Sequence, residues 1–449
     1  MEEKIKELLL SKSFREIKEI FCDLQPADAA AVIAELFEEA EIEKDIVILY
    51  RLLPKDLAAE TFAFFEADIQ KMLIEGFSDQ ELKDILEQTF VDDMVDMLEE
   101  MPANIVKRIL SNSAPETRKA INEILKYPED SAGSMMTIEY IELLPSMTVA
   151  DAFLKIKRTG VDKETIYTCY VKDKNRKLIG FVTAKSLLLS EADDIIEDIM
   201  ETNIISVNTH EDREVVSEMM SKYDFLALPV VDAENRLVGI VTVDDVVDVI
   251  LEEATEDIEK MAAITPSDKP YLKIGIFETW KQRIPWLLIL MISATFTGGI
   301  IDMYTDSLAS CAILTTFIPM FMGTGGNAGS QASVTIIRGL SINEIEFSDW
   351  LKIVWKELRV ACLCGITLAF IYFVALVYVM KIELMIAVVV GLTLIITVIA
   401  AKLVGCTLPM LAKKIGFDPA VMASPFITTI VDTLSLVIFF RIAVMILGI

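Results

Sequence analysis

The sequence predicts a multi-domain membrane protein with an all-α N-terminal solenoid, an α/β tandem pair of modules, a connecting helix and a five-helix transmembrane domain. Three observations predict this fold class. The first 130 residues show only helical periodicity, the next stretch repeats at an interval of 59 residues, and the chain from residue 284 onward is strongly apolar. We therefore expect domains at residues 1–130, 131–243, 244–283 and 284–449.

Short stacked helices are predicted for residues 1–130. Related motifs begin at Pro26, Pro54 and Pro102, and a proline at the start of a helix is harmless because that N–H has no helical partner. Asp92 and Asp96 lie four residues apart, on one face of a predicted helix. Like charges at that spacing repel, so the pair fits either a solvated surface or two carboxylates with a cation between them.

The segment Val171–Thr183 is echoed 59 residues later by Val230–Thr242. Each copy reads as a strand, a polar turn and a strand, followed by a helix. The pair resembles tandem cystathionine-β-synthase-type (CBS) modules. The resemblance implies adenine-nucleotide binding through a Ser or Thr followed three residues later by Asp. The second copy has Thr242 and Asp245, whereas the first has Ser186 where the acid would be.

Five apolar stretches are long enough to cross a bilayer. Their predicted limits are Ile284–Met303, Leu308–Ile337, Val360–Met380, Met385–Cys406 and Ala420–Gly448. Lys and Arg concentrate in the loops after the second and fourth stretches, which the positive-inside rule places in the cytoplasm. No signal peptide is predicted at the N-terminus. We expect a multi-pass protein of the plasma (inner) membrane, with cytoplasmic N-terminal domains and the C-terminus outside.

Asp432 is the only acid in the apolar stretch from Pro419 to Ile449, and an intramembrane carboxylate by default marks a cation or proton site. A polar stripe surrounds it on the same predicted helix and would line a pore. The stripe consists of Ser424, Thr428, Asp432 and Ser435. Asp418, before Pro419, is a predicted N-cap at the cytoplasmic mouth. Asn327 and Gln331 of the second stretch could order the pore wall or hydrogen-bond between helices.

All of the net charge of −28 lies on residues 1–283, because the remainder holds nine acids and nine bases. Such acidity argues against nucleic acid as a partner and favours cations, although a solubilising surface would also use acids. Eight acids follow one predicted helix that starts at Val243 and runs toward Trp280. They are Asp244, Asp245, Asp248, Glu252, Glu253, Glu256, Asp257 and Glu259. Their mutual repulsion would be relieved by bound cations.

The run PMFMGTGGNAGSQ at Pro319–Gln331, together with Asp418-Pro419-Ala420 and Thr428–Asp432, resembles the MgtE family of magnesium channels. The order of all the predicted parts matches as well. The resemblance implies a homodimer in which two Asp432 carboxylates meet at one axis. It also implies a connecting helix that plugs the pore when cytoplasmic Mg²⁺ is abundant, and ATP as a possible modulator. The implied Mg²⁺ ligands, besides Asp432 and Asp418, are Asp92, Asp93, Asp96, Asp224, Asp245, Asp248, Glu253, Glu256, Asp257, Glu60 and the backbone at Gly133.

Other functions fit less well. The single histidine, His210, precedes a predicted helix, and neither HExxH nor GxSxG occurs, so we do not expect an enzyme. A nucleotide-sensing membrane receptor would leave Asp432 without a role. A channel that also carries Co²⁺ or Mn²⁺ would share every feature of a Mg²⁺ channel. The sequence therefore predicts importation of Mg²⁺ down its electrochemical gradient, with a broader divalent cation channel as the alternative.

Overall fold

The computed structural model describes residues 1–37, 45–267, 269, 271–422 and 424–448. The chain forms two compact units, Met1–Ile250 and Leu251–Ile449. The first unit holds the helical N-terminal region and both repeated modules, and the second holds the long apolar helices. The predicted fold class is confirmed in these respects.

Ten short helices lead the first unit among the described residues. They are α1 (Glu2–Leu10), α2 (Phe14–Phe21), α3 (Pro26–Phe37), α4 (Ile46–Arg51), α5 (Lys55–Ala63), α6 (Ala67–Gly76), α7 (Asp79–Leu86), α8 (Val91–Glu99), α9 (Ala103–Asn112) and α10 (Pro115–Ile124). Pro26 is the first residue of α3, while Pro54 and Pro102 directly precede α5 and α9. Fully buried side chains such as Phe21, Phe62 and Leu73 form the core of the stack.

Each repeated module contains a three-stranded sheet with one parallel and one antiparallel pairing. The first module contains β1 (Ile141–Leu143), α11 (Val149–Thr159), β2 (Thr168–Lys172), β3 (Leu178–Thr183), α12 (Ala184–Leu189) and α13 (Ile196–Ile199). The second contains β4 (Val207–Asn208), α14 (Arg213–Tyr223), β5 (Ala227–Val231), β6 (Leu237–Thr242) and the start of α15 (Val243–Met261). The predicted order of strand, turn, strand and helix is confirmed in both.

The polar turns of the two modules are built alike. Oδ1 of Asp173 accepts a hydrogen bond from the Asn175 amide at 2.7 Å, and Oδ1 of Asp232 accepts one from the Glu234 amide at 2.9 Å. The residue that closes each turn has positive φ, 65° at Arg176 and 62° at Asn235. A short Asp side chain that bonds the backbone stabilises such tight turns. The sequence repeat therefore reproduces local backbone geometry.

The acid-rich connecting helix is shorter than the sequence predicted. It ends at Met261 and does not continue toward Trp280, which lies in a separate helix that begins at Ile276. Ala263 has a φ of 55°, outside the helical region. Thr265 precedes Pro266, and a residue before proline is disfavoured in helical conformation. These local features end α15.

The second unit holds six further α-helices in the part of the chain that the structure describes. They are α16 (Ile276–Met303), α17 (Thr305–Ser310), α18 (Ile318–Ser341), α19 (Trp350–Val374), α20 (Leu384–Lys414) and α21 (Ser424–Leu447). Four described segments are long and apolar enough to cross a membrane: Ile276–Met303, Phe347–Val379, Leu384–Lys414 and Pro425–Leu447.

The second predicted span, Leu308–Ile337, is divided in the structure. Residues from Leu308 contribute to α17 and to a 3₁₀ segment, Ala312–Phe317, before α18 begins at Ile318. With 24 residues, α18 is about 36 Å long at 1.5 Å per residue, enough to cross a bilayer. Its glycines and polar side chains lower its hydropathy, so apolarity alone does not identify it as a span.

Glycines allow α18 and α20 to pack closely. A Cβ atom added to Gly405 of α20 would lie 2.2 Å from the carbonyl oxygen of Gly329 of α18. A Cβ on Gly325 would lie 2.7 Å from Oγ of Ser435 on α21. Small residues permit such backbone approach in membrane helices, where close packing drives association. The Gly-rich run thus fixes α18 against α20 and α21.

Candidate functional site

A cavity of about 740 Å³ runs along one side of α18 and reaches α21. Its lining is polar at many positions although it lies among the apolar helices. The lining residues are Met322, Gly323, Gly326, Asn327, Ser330, Gln331, Val334, Thr335, Thr428 and Asp432. The eight that belong to α18 recur every three or four residues, so they form one face of the helix.

Asp432 supplies the only acid of this lining. Its Oδ1 atom is buried and has no hydrogen-bond partner among the described residues. A buried carboxylate oxygen without a partner is costly and in membrane proteins marks an ion or proton pathway. The neighbouring oxygens of Thr428, Ser330 and Asn327 are neutral. One negative charge surrounded by neutral oxygens is a suitable environment for a hydrated cation.

Asn327 and Gln331 are exposed in the single chain and line a second cavity of about 480 Å³ as well. This second cavity is bounded by α18, α19 and α20, and Lys402 also lines it. Nζ of Lys402 lies 3.3 Å from Oε2 of Glu357, and the Lys402 side chain is buried while that of Glu357 is mostly so. Asn327 and Gln331 therefore lie between two cavities. One contains Asp432, and the other is lined by Lys402, whose charge is neutralised by Glu357.

The predicted polar stripe of α21 is only partly present. Thr428 and Asp432 line the cavity, and the side chain of Ser424 lies outside the described part of the chain. Ser435 does not belong to the stripe. Its buried hydroxyl donates to the Val431 carbonyl at 2.6 Å and packs near Gly325. The packing with α18 turns Ser435 away from the cavity, although helical spacing alone placed it there.

Asp418 caps the 3₁₀ segment Pro419–Met422, because its Oδ1 accepts the Ala420 amide at 2.8 Å. Its other oxygen, Oδ2, lies 2.8 Å from Nζ of Lys260 in the last turn of α15. The same ammonium lies 2.5 Å from Oε1 of Glu256. The cation beside the predicted mouth carboxylate is therefore supplied by the chain itself.

The last turn of α15 makes two further contacts within the second unit. Ser341, at the end of α18, donates a hydrogen bond to Oδ2 of Asp257 at 2.8 Å. Met261 packs against the buried side chains of Ile337 and Ala420. Burial raises the pKa of Asp257. Burial opposes protonation of Lys260, but hydrogen bonds to Asp418 and Glu256 outweigh it and raise the pKa of the ammonium.

A separate group of acids lies within the first unit and is called here the acid cluster. It consists of Asp92, Asp93, Glu164 and Asp245, with Glu139 and Asp244 close enough to repel them. None of these acids forms an ion pair with another residue that the structure describes. They come from α8, from the first module and from the start of α15. Three distant parts of the sequence thus meet at one concentration of negative charge.

The pKa values of the acid cluster are all raised. Burial, followed by repulsion from Asp245, Asp93 and Glu164, raises the pKa of Asp92 to about 9. Burial and repulsion from Asp244 and Asp245 raise that of Glu164 to about 7. Desolvation by the surrounding segments raises the pKa values of Asp93 and Asp245 to about 6, although Asp93 stays exposed and Asp245 is half-buried. Each shift reports that the folded state disfavours the charged carboxylate unless a cation compensates it.

The nucleotide candidates occupy equivalent positions in the two modules. Oγ1 of Thr242 donates to Oδ2 of Asp245 at 2.7 Å, and the hydroxyls of Thr183 and Ser186 lie 2.9 Å apart. Asp245 therefore belongs both to the predicted nucleotide motif and to the acid cluster.

The matches to protein families follow the same order as the structure. Divalent cation transporters of the MgtE type match residues 318–442, the MgtE intracellular N domain matches 24–130, and CBS domains match 132–193 and 196–252. The chain is 36% identical to the magnesium transporter MgtE of Thermus thermophilus over 99% of its own length and 98% of that protein. The chain belongs to the MgtE family. The resemblance predicted from the sequence is confirmed, and members of this family are transporters, not enzymes.

Other relatives agree with the MgtE assignment. The magnesium transporter MgtE of Bacillus subtilis is 32% identical over 97% of this chain and 95% of that protein. The crystal structure of the cytosolic domain of the Mg²⁺ channel MgtE in complex with ATP is 34% identical, with a TM-score of 0.51. It covers 56% of this chain and all of that one. The chain is thus a membrane transporter with a cytoplasmic N-terminal domain.

Several predicted ligands of the MgtE resemblance do not join the acid cluster. Asp224 has a left-handed backbone at the end of α14, and Glu60, Asp96 and Asp248 are exposed on α5, α8 and α15. The amide of Gly133 donates to the Thr209 carbonyl at 2.9 Å, and its own carbonyl oxygen is the backbone group that could ligate a cation. Glu253 lies on the part of α15 within the second unit. Among the described residues no three His, Cys, Asp or Glu side chains form a ready ligand set for a metal ion.

The sequence did not predict several other residues of these candidate sites. Glu164 and Glu139 lie in a module for which the sequence predicted only nucleotide binding. Nothing in their spacing relates them to Asp92. Ser330 and Thr335 lie three or four residues from Asn327 and Gln331, so helical spacing could have found them. Lys260 follows Glu256 by four residues, a signal of a helix pair but not of its contact with Asp418.

Proposed function

We propose that the protein is a Mg²⁺-selective channel that imports Mg²⁺ down its electrochemical gradient. The observation that carries this proposal is the unpartnered Asp432 oxygen in a cavity of otherwise neutral lining. Mg²⁺ gives up its water reluctantly, so a pore that recognises the hydrated ion needs few carboxylates and several neutral oxygens. Two relatives that match nearly the whole chain are named magnesium transporters, which supports the same cation.

The proposal includes a homodimer in which α18 and α21 of each copy border a shared pore. Asn327 and Gln331 are exposed in the single chain, as expected for residues that face a pore completed by a second copy. A pair of Asp432 carboxylates would then match one divalent ion in charge. The first CBS module also exposes large apolar side chains, which is typical of a surface that a partner covers. They are Leu154, Val161, Tyr167, Leu188 and Leu189.

We further propose that cytoplasmic Mg²⁺ closes the channel by binding at the acid cluster. Without a cation the cluster repels itself, which opposes the approach of α8 to the start of α15. Because no compact ligand set exists among the described residues, the ion would bind with part of its water shell. Helix α15 begins in the first unit and ends in the second, so it can transmit the change toward Asp418.

ATP is a proposed modulator. The cytosolic domain of a 34% identical MgtE has been crystallised with ATP, and Thr242 with Asp245 supplies the expected motif here. The first module lacks the acid, because Ser186 follows Thr183. Since Asp245 also repels Asp92 in the acid cluster, nucleotide and Mg²⁺ would act on the same carboxylate. Calorimetry with the Asp245→Ala variant tests this: it should weaken ATP binding, and Ser186→Asp should strengthen it.

The broader proposal is tested by flux into liposomes that contain the full-length protein. Wild type should carry Mg²⁺ in preference to Ca²⁺, Co²⁺ and Mn²⁺, and Asp432→Asn should abolish that selective flux while the protein remains folded. A neutral amide cannot balance a divalent ion in a low dielectric. Asp302→Asn, which removes an exposed acid at the end of α16, is the control and should conduct normally.

Two outcomes contradict the proposal in different ways. Equal flux of Mg²⁺, Co²⁺ and Mn²⁺ through wild type would support the broader divalent cation channel. Unchanged, selective Mg²⁺ flux through folded Asp432→Asn would refute the role of the cavity. A location in the plasma membrane with the C-terminus outside is part of the proposal, and labelling of a C-terminal cysteine from outside the cell tests it.

A further inference from the structure

Asp418, at the predicted cytoplasmic mouth, and Glu256 are both paired with a lysine of the chain. Nζ of Lys260 lies 2.8 Å from Oδ2 of Asp418 and 2.5 Å from Oε1 of Glu256. The contact with Glu256 is an ordinary pair within one helix at i and i+4. The contact with Asp418 is tertiary, because 158 residues separate the two partners along the chain. The ammonium therefore connects the last turn of α15 to the residue that caps the segment leading into α21.

Two other contacts hold the same turn of α15 against neighbouring parts of the second unit. Oδ2 of Asp257 accepts a hydrogen bond from Ser341 at the end of α18, and Met261 packs on Ile337 and Ala420. One helical turn thus contacts α18 and the 3₁₀ segment that leads into α21. Lys260 is the only cation within that turn. Without its charge, Glu256, Asp257 and Asp418 would face one another as three acids.

We propose that Lys260 is a positioning residue that holds the end of α15 at the cytoplasmic mouth by supplying the positive charge which those acids would otherwise require from Mg²⁺. The proposal rests on the proposed function, in which α15 closes the pore. It adds that closure has a metal-independent part, built into the chain. Lys260 already holds the end of α15 at Asp418, and Mg²⁺ strengthens this contact. A lower Mg²⁺ concentration therefore suffices for closure.

The functional test measures Mg²⁺ flux in liposomes as a function of Mg²⁺ on the cytoplasmic side of the full-length protein. Lys260→Met should raise the Mg²⁺ concentration of half-closure by about threefold, the effect of losing one partly exposed ion pair. Flux at low Mg²⁺ should not fall, since Lys260 does not line the cavity, and it should rise if Lys260 holds part of the wild-type protein closed. Lys260→Arg keeps the charge and should close within twofold of wild type.

A matched control separates position from charge. Lys269 lies nine residues further along and pairs with Glu278 at 3.0 Å, away from Asp418. Lys269→Met removes an equal charge from the same part of the chain and should leave half-closure unchanged. An unchanged midpoint in Lys260→Met would overturn the proposal. A lowered midpoint would overturn it too, because Lys260 would then be a competitor of Mg²⁺.

A second readout does not depend on conduction. Cysteines introduced at Met261 and Ala420, which pack together, should cross-link in full-length protein in the presence of a chelator. Adding Lys260→Met to this pair should reduce cross-linking several-fold, and Mg²⁺ should restore it. Equal cross-linking with and without Lys260 in the chelator refutes the inference even if Mg²⁺ closes the channel. Failure of wild type to conduct or to close would refute the proposed function and leave this readout to decide the role of Lys260.

Discussion

The acid cluster of the first unit differs from the paired carboxylates between helices of the second unit. The first unit gathers Asp92, Glu164 and Asp245 without an ion-pair partner among the described residues, and their pKa values are raised accordingly. The second unit pairs Asp418 with Lys260 and Glu357 with Lys402. Asp432 of the second unit lines a cavity, and its buried Oδ1 has no hydrogen-bond partner among the described residues. An uncompensated carboxylate here indicates a place for an external cation, whereas a compensated one joins helices.

The largest expected effect comes from breaking a compensated pair. Lys402→Met leaves Glu357 as a mostly buried, unpaired charge and should destabilise the second unit by about 3–5 kcal/mol. Unfolding of the full-length protein in mixed micelles measures the change. Lys356→Met, one residue from Glu357 but exposed, should have little effect. If Lys402→Met unfolds like wild type, or if adding Glu357→Gln restores no stability, the ion pair does not stabilise the contact between α19 and α20.

Neutralising the acid cluster should instead stabilise the part of the first unit that contains it. Combining Asp92→Asn, Asp93→Asn, Glu164→Gln and Asp245→Asn removes the repulsion, so α8 should gain hydrogen-exchange protection in a chelator. Wild type should gain about 2–3 kcal/mol of protection when Mg²⁺ is added at a hundred times its dissociation constant, and the variant almost none. As a control, neutralising four exposed acids of the same unit should leave the Mg²⁺ response unchanged. These acids are Asp23, Asp28, Glu75 and Glu116. Equal responses would make the acid cluster a solvated surface.

The same helix should also respond to pH. In the unfolded chain these carboxyls titrate near pH 4, but in the folded state the pKa is about 9 for Asp92 and about 7 for Glu164. The folded state therefore binds more protons between about pH 4 and 9, and its stability falls as pH rises through that window. Protection of α8 without Mg²⁺ should increase from pH 8 to pH 6, and Mg²⁺ should flatten the slope. A rise in protection with pH would contradict the pKa shifts.

Local chemistry made much of the fold predictable. The prolines that open or precede α3, α5 and α9 act through their own backbone, and the turns at Asp173 and Asp232 are fixed by bonds within five residues. Asp432 was predictable because a lone acid in an apolar stretch needs no partner to be noticed. The end of α15 at Met261 was missed because the acid pattern continues past the point where backbone geometry ends the helix.

The sequence by itself determined the order of domains, the repeated modules, the family resemblance and the choice of Asp432 as the intramembrane acid. These follow from periodicity, composition and motifs, which act over one helix or one turn. The tertiary structure alone decided that Glu164 joins Asp92, that Ser435 faces Gly325, and that Lys260 rather than a free cation lies beside Asp418. Each of these depends on the approach of segments far apart in the chain, and the energy of a charge depends on which other charges and how much water surround it after folding.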